Sequence, residues 1–112
     1  VLHKNVISVA VRDYRTSDYR DVLEIDKEAF APQNATYDLY IYLTYGSDVL
    51  VADIGGKIVG YAASMEMGSE AKIMSIAVRK EYRGLGIGSK LLDEVIKRCK
   101  ERGKAQLFLE VR

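Results

Sequence analysis

The residue types best suited to chemistry cluster in one short segment, Arg83-Gly84-Leu85-Gly86-Ile87-Gly88-Ser89-Lys90. Glycine removes the Cβ atom and admits unusual backbone angles, so successive N–H groups can close on a ligand. A helix beginning directly after such a turn adds unpaired N–H donors and a partial positive charge. That combination is an anion site, and a pyrophosphate fits it. Arg83 and Lys90 are placed to add charge-assisted hydrogen bonds. Spacing excludes two familiar phosphate motifs. A P-loop needs Gly-Lys-Ser/Thr, whereas Gly88-Ser89-Lys90 has the wrong order. The dinucleotide fingerprint G-x-G-x-x-G, begun at Gly84 and Gly86, requires glycine at position 89 and meets Ser89.

Other chemistries find little to work with. The chain has one cysteine, Cys99, and one histidine, His3, so neither an internal disulfide nor a metal centre is expected. A net charge of +1 gives no whole-molecule field for nucleic acid or an anionic membrane. No apolar run approaches the roughly 18 residues of a membrane span, and the N-terminus lacks the apolar core of a signal peptide. A cytoplasmic location is the default. At 112 residues, 48% of them hydrophobic, the sequence fits one soluble domain over residues 1–112.

The turn needs a strand before it and a helix after it, and the pattern supplies both. Residues 72–78 read as a buried strand. Ile87, Leu91, Leu92, Val95, Ile96 and Cys99 then recur as one face of a helix, the clearest periodicity in the chain. Cys99 on that face reads as a small core residue rather than a nucleophile. Lys97, Arg98, Lys100 and Arg102 crowd the helix's last turns, where cations suit the dipole, and Gly103 supplies the stop. Upstream, residues 6–12 read as a strand, and Thr16 as the N-cap of a helix that ends near Pro32. A second helix is expected over residues 36–45, with Tyr37, Tyr40, Tyr42 and Tyr45 packing along it. Residues 49–52 and 57–67 form a hairpin about Gly55-Gly56, and residues 105–111 are the last strand. The order β-α-α-β-β-β-α-β predicts an α/β-type fold with an antiparallel meander in its middle.

The stretch Ile76-Ala77-Val78-Arg79-Lys80-Glu81-Tyr82-Arg83-Gly84-Leu85-Gly86-Ile87-Gly88-Ser89-Lys90-Leu91-Leu92 resembles the GNAT superfamily of N-acetyltransferases, whose signature is R/Q-x-x-G-x-G/A. The element order along the whole chain is similar too. The resemblance implies a mixed α/β sheet and acetyl-CoA as cofactor. Backbone groups of Ile76, Ala77 and Val78 would bond the acetyl and pantetheine portion. Those of Arg83, Gly84, Leu85, Gly86, Ile87, Gly88 and Ser89 would hold the pyrophosphate. A backbone N–H near Ile76 would steady the oxyanion formed when an amine attacks the thioester. The strands on either side of the glycine-rich segment and its helix would splay to admit the pantetheine arm.

Phe108-Leu109-Glu110-Val111-Arg112 looks like the strand of the ribosomal-protein-alanine acetyltransferase subgroup, which implies Glu110 as general base. The alternative is that Glu110 is a solvated strand residue, with Glu66 as a second carboxylate able to face the amine. Glu24 and Glu28 read as exposed helix residues. At pH 7 an α-amine of pKa about 7.7–8.0 costs about 1 kcal/mol to deprotonate, and a lysine near about 10.4 costs roughly 4.6. A protein N-terminus is thus the favoured acceptor. The alternatives are a small-molecule amine, or a non-catalytic CoA-binding module. The resemblance further implies a helix and closing strands beyond Arg112, about 30 residues of ordinary element length, carrying the general acid, which this chain lacks. A final strand left without neighbours would present an apolar edge, so self-association through it is expected.

Overall fold

The computed structural model describes residues 8–30 and 32–109, with backbone only at 32–37. Five strands form one sheet in the order β1-β2-β3-β4-β5. They are β1 (Ala10–Asp13), β2 (Asp48–Ile54), β3 (Lys57–Met67), β4 (Glu70–Val78) and β5 (Gln106–Leu109). The first four run antiparallel, and β5 pairs with β4 in parallel. Helices α1 (Tyr19–Ala29) and α2 (Pro32–Tyr45) cover one face, and α3 (Ile87–Glu101) covers the other. This is the mixed α/β architecture that the element order predicts.

Period-two alternation in β2 explains how both faces are filled. Leu50 and Ala52 pack against Ile87, Leu91, Val95 and Cys99 of α3, whereas Val51 packs with Val22, Ile25 and Leu39 on the α1–α2 side. The apolar stripe of α3 buries those four residues and leaves Leu92 and Ile96 half-buried at its margins. Cys99 is a core residue, as its place on the stripe predicts, and burial pushes its thiol pKa up.

The structure corrects several boundaries. Thr16 does not cap α1; Thr16–Asp18 is a short 3-10 turn that precedes it. Asp18 decides this, because its buried carboxylate accepts the Arg15 N–H at 2.8 Å and pairs with Arg12 at 2.9 Å. α1 ends at Ala29, near Pro32 as expected, but Pro32 itself begins α2, since a missing N–H costs nothing in a helix's first turn. The second helix therefore starts four positions before the expected residue 36. Tyr40 and Tyr45 are 59% and 70% exposed, so amphipathic packing does not account for them. The first strand begins at Ala10, and the expected residues 6 and 7 lie outside the described residues.

The basic end of α3 does more than answer the helix dipole. Arg98 and Arg102 reach across the sheet to Asp48, a buried carboxylate at the start of β2, at 3.2 and 3.0 Å. Burial pushes the Asp48 pKa up, but the Arg102 and Arg98 hydrogen bonds outweigh it and hold the carboxyl below its ordinary value. On β5, Phe108 and Leu109 remain 43% and 61% exposed.

Candidate functional site

The glycine-rich turn joins β4 to α3. After a 3-10 turn at Lys80–Tyr82 the chain extends through Arg83 and enters the left-handed region at Gly84 (φ 79°) and Gly86 (φ 81°). No side chain crowds either glycine, since a Cβ built on each would meet nothing within 4 Å. Backbone conformation, not packing, therefore demands glycine at both positions. Gly86 is the N-cap of α3, and no side chain caps that end. The first helical bond closes from the Lys90 N–H to the Gly86 carbonyl at 3.1 Å, which leaves the N–H groups of Ile87, Gly88 and Ser89 ahead of the helical ladder. They border a cavity of about 320 Å³ that Arg83, Gly84 and Gly86 also line.

A second cavity, about 430 Å³, continues from this one along β4, with Val78, Arg83 and Gly88 lining both. Ile76 and Ala77 form its floor, and Ala29 and Phe30 at the end of α1 form a wall. The β3–β4 pairing runs on to Gly60–Val78, and among the described residues the β4–β5 pairing covers Glu70–Ile73 against Gln106–Leu109. Among the described residues no strand pairs with the outer edge of residues 74–78.

A β-bulge lies just before the floor residues. Ser64 faces Ile73 and Ala63 faces Ser75, so Met74 is the extra residue. One extra residue exchanges the faces of everything after it. Ala71 and Ile73 pack toward α3; beyond the bulge Ile76 and Val78 do so, and Ala77 turns toward α1 and α2.

Sequence reading missed the clamp that holds α1 over this floor. Arg79 is only 6% exposed; its Nε donates to the Ile58 carbonyl at 2.8 Å, and its guanidinium pairs with Asp21 at 3.2 Å and with Glu24. Glu28 accepts the Lys80 N–H and lies 3.9 Å from Arg83. Arg83 itself donates from Nε to the Val78 carbonyl at 3.0 Å. Glu24 and Glu28 are exposed, as expected, yet with Asp21 they form one acidic face of α1 docked on the segment after β4. The spacing of 21, 24 and 28 by three and four residues was the available signal.

The remaining carboxylates stand apart. Glu66 pairs with Ala71 across the ladder, before the bulge, and is held by Arg102 at 2.9 Å and Lys104 at 3.5 Å. At about 3.3 Å per residue, the five positions from Ala71 to Ile76 span roughly 16 Å, so Glu66 is not brought to the cavity. Glu110 lies outside the described residues, as do Val111, Arg112 and His3. Among the described residues no cluster of three or more metal-ligating side chains occurs, and no helix is long and apolar enough to cross a membrane.

Comparison with known proteins places this geometry. The model of the Acetyltransferase (GNAT) family matches residues 10–112. An uncharacterized N-acetyltransferase of Methanocaldococcus jannaschii is 42% identical over 84 residues, 73% of this chain and 53% of that protein. The chain thus spans about half the length of that relative. A putative [ribosomal protein bS18]-alanine N-acetyltransferase of Bacillus subtilis is 32% identical over 92% of this chain and 70% of its own length. Among solved structures, the ribosomal-protein-S18-alanine N-acetyltransferase from Escherichia coli superposes with a TM-score of 0.79 at 26% identity, covering 94% of this chain and 68% of that one. With a family match over residues 10–112, nearly its whole length, the chain belongs to the GNAT acetyltransferase family.

Proposed function

We propose that the protein transfers the acetyl group of acetyl-CoA to an amine, by preference the α-amine of a protein N-terminus. The observation that carries this is the continuous groove from residues 76–78 of β4 to the uncapped start of α3. Its donors fit the cofactor in order. The N–H groups of Gly84, Leu85, Gly86, Ile87, Gly88 and Ser89, with Arg83, suit a pyrophosphate. The edge of β4 at Ile76, Ala77 and Val78, unpaired among the described residues, suits the amides of a pantetheine arm, which would add to the sheet as an extended peptide does. The cofactor supplies an acyl group already activated as a thioester.

The chain's own residues do the rest. The Ile76 backbone N–H, just past the bulge, is the donor for developing negative charge on the acyl oxygen. Phe30 and Ala29 wall the groove on the α1 side. Glu110 takes the proton that the amine must lose, a role Glu66 is too distant to share. The Escherichia coli neighbour is a ribosomal-protein-S18-alanine N-acetyltransferase, and the Bacillus subtilis relative is named as a putative one, which favours a protein N-terminus over a small amine. Calorimetry with acetyl-CoA, followed by mass-spectrometric screening of peptides and small amines, tests the reading. Absence of cofactor binding refutes it, and acetylation confined to small amines refutes the acceptor.

A further inference from the structure

Three polar side chains are sealed between α1 and the sheet beside the β4 bulge. Asp26, Tyr61 and Ser75 are each 0% exposed. The Tyr61 hydroxyl donates to Asp26 Oδ1 and lies 2.6 Å from Ser75 Oγ. A phenol has one hydrogen to give, and here it goes to Asp26. Ser75 is therefore the donor in the second bond, and the chain has one polarity, from Ser75 to Tyr61 to Asp26.

Its two ends meet the two sides of the groove. Asp26 sits in the last turn of α1, where its carbonyl accepts the Phe30 N–H at 3.0 Å, and Phe30 is the groove wall. Ser75 stands between the bulged Met74 and Ile76, which belongs to the groove floor. Tyr61 bridges them from β3, opposite Ala77. Phenylalanine, leucine and alanine would fill this space without the desolvation penalty of buried polar groups. What a satisfied polar chain adds is a fixed distance and tilt between the elements it joins.

We propose that the Asp26–Tyr61–Ser75 chain is a positioning device for acyl transfer, holding the β4 bulge where the Ile76 N–H meets the reacting carbonyl. This rests on the acetyltransferase reading above. None of the three lines the groove, so they act through β4 and α1 and not on substrate. Losing the chain loosens the bulge while leaving the pyrophosphate turn intact, which lowers turnover and spares cofactor affinity.

The test compares Tyr61→Phe and Ser75→Ala with Val22→Ala, a fully buried α1 position outside the chain. Each variant is measured for kcat, for acetyl-CoA affinity by calorimetry, and for amide hydrogen exchange at Ser75 and Ala77, which pair with β3 on either side of Ile76, in the free protein. Both chain variants should lower kcat by about tenfold or more with affinity within about twofold of wild type, and should speed exchange at Ala77. Val22→Ala should lose stability and do neither. Turnover that falls only with the folded fraction, as in Val22→Ala, or unchanged Ala77 exchange, overturns the proposal. Ser75→Ala removes a single hydroxyl and carries the test if Tyr61→Phe does not fold. A wild-type protein that fails to bind acetyl-CoA counts against the acetyltransferase reading instead. The exchange measurement needs no cofactor and keeps the two failures distinct.

Discussion

Replacing Gly86 and Gly88 by alanine, one at a time, separates backbone strain from ligand contact in the phosphate turn. Gly86 has φ 81°, where an L-residue costs about 1–2 kcal/mol. Gly88 lies inside α3, and its added Cβ would touch only Val78 Cγ2, at an ordinary 3.8 Å. Alanine at 88 therefore meets no strain and gains up to about 1 kcal/mol of helix propensity. The G/A alternative at that place in the family signature agrees. At 86 the new methyl meets no protein atom within 4 Å, so it projects into open space beside the N–H groups of α3. If the turn keeps its shape, the strain is equal in free and bound protein and cancels from binding. The methyl then opposes the phosphates directly. If the free turn relaxes, binding must restore the strained form, and the same 1–2 kcal/mol reappears as about a five- to thirtyfold loss. Either route lowers acetyl-CoA affinity for Gly86→Ala by roughly tenfold, and leaves Gly88→Ala within about twofold of wild type. Calorimetry measures the affinities, and thermal melts report the strain separately. Equal affinities for Gly86→Ala and wild type, or an equal loss for both variants, would show that the turn does not hold the phosphates.

Three further outcomes follow from the same structure. Asp48 has a folded-state pKa below its ordinary value, so the unfolded chain binds its proton first as pH falls. Its stabilisation is complete above about pH 5 and declines below about pH 4, lost once the folded carboxyl itself protonates. Urea midpoints from pH 6 to pH 3 should therefore drop more steeply in wild type than in Asp48→Asn, and parallel curves would refute the linkage. Leu91, fully buried under the sheet, should cost about 2–5 kcal/mol as Leu91→Ala, and half-buried Leu92 distinctly less, measured by denaturant unfolding. Glu110→Gln should lower turnover about a hundredfold with cofactor affinity retained, and an unchanged pH–rate profile would remove Glu110 from the reaction.

What could be read in the sequence was what neighbouring residues decide among themselves. The α3 stripe, the Gly55-Gly56 hairpin and β3 at Lys57–Met67 fall where periodicity and turn chemistry put them. The same local logic found the end of α1 near Pro32 but not the start of α2 at it, because proline is both a helix stop and a favoured first residue. Arg79 was missed for the opposite reason. Its partners Glu24 and Asp21 lie 55 and 58 positions away, beyond any rule of spacing. The bulge at Met74 lies between these cases. No residue type announces it, yet it decides which faces the residues after it present. Without the extra residue, odd positions would face α3 throughout, and Ala77 in place of Ile76 and Val78 would meet that core. With it, the bulky pair fills the α3 side, and small Ser75 and Ala77 leave room beneath α1 for Tyr61. The groove thus lies beside a change of register in β4, and one inserted residue sets which side chains face α3 and which face α1.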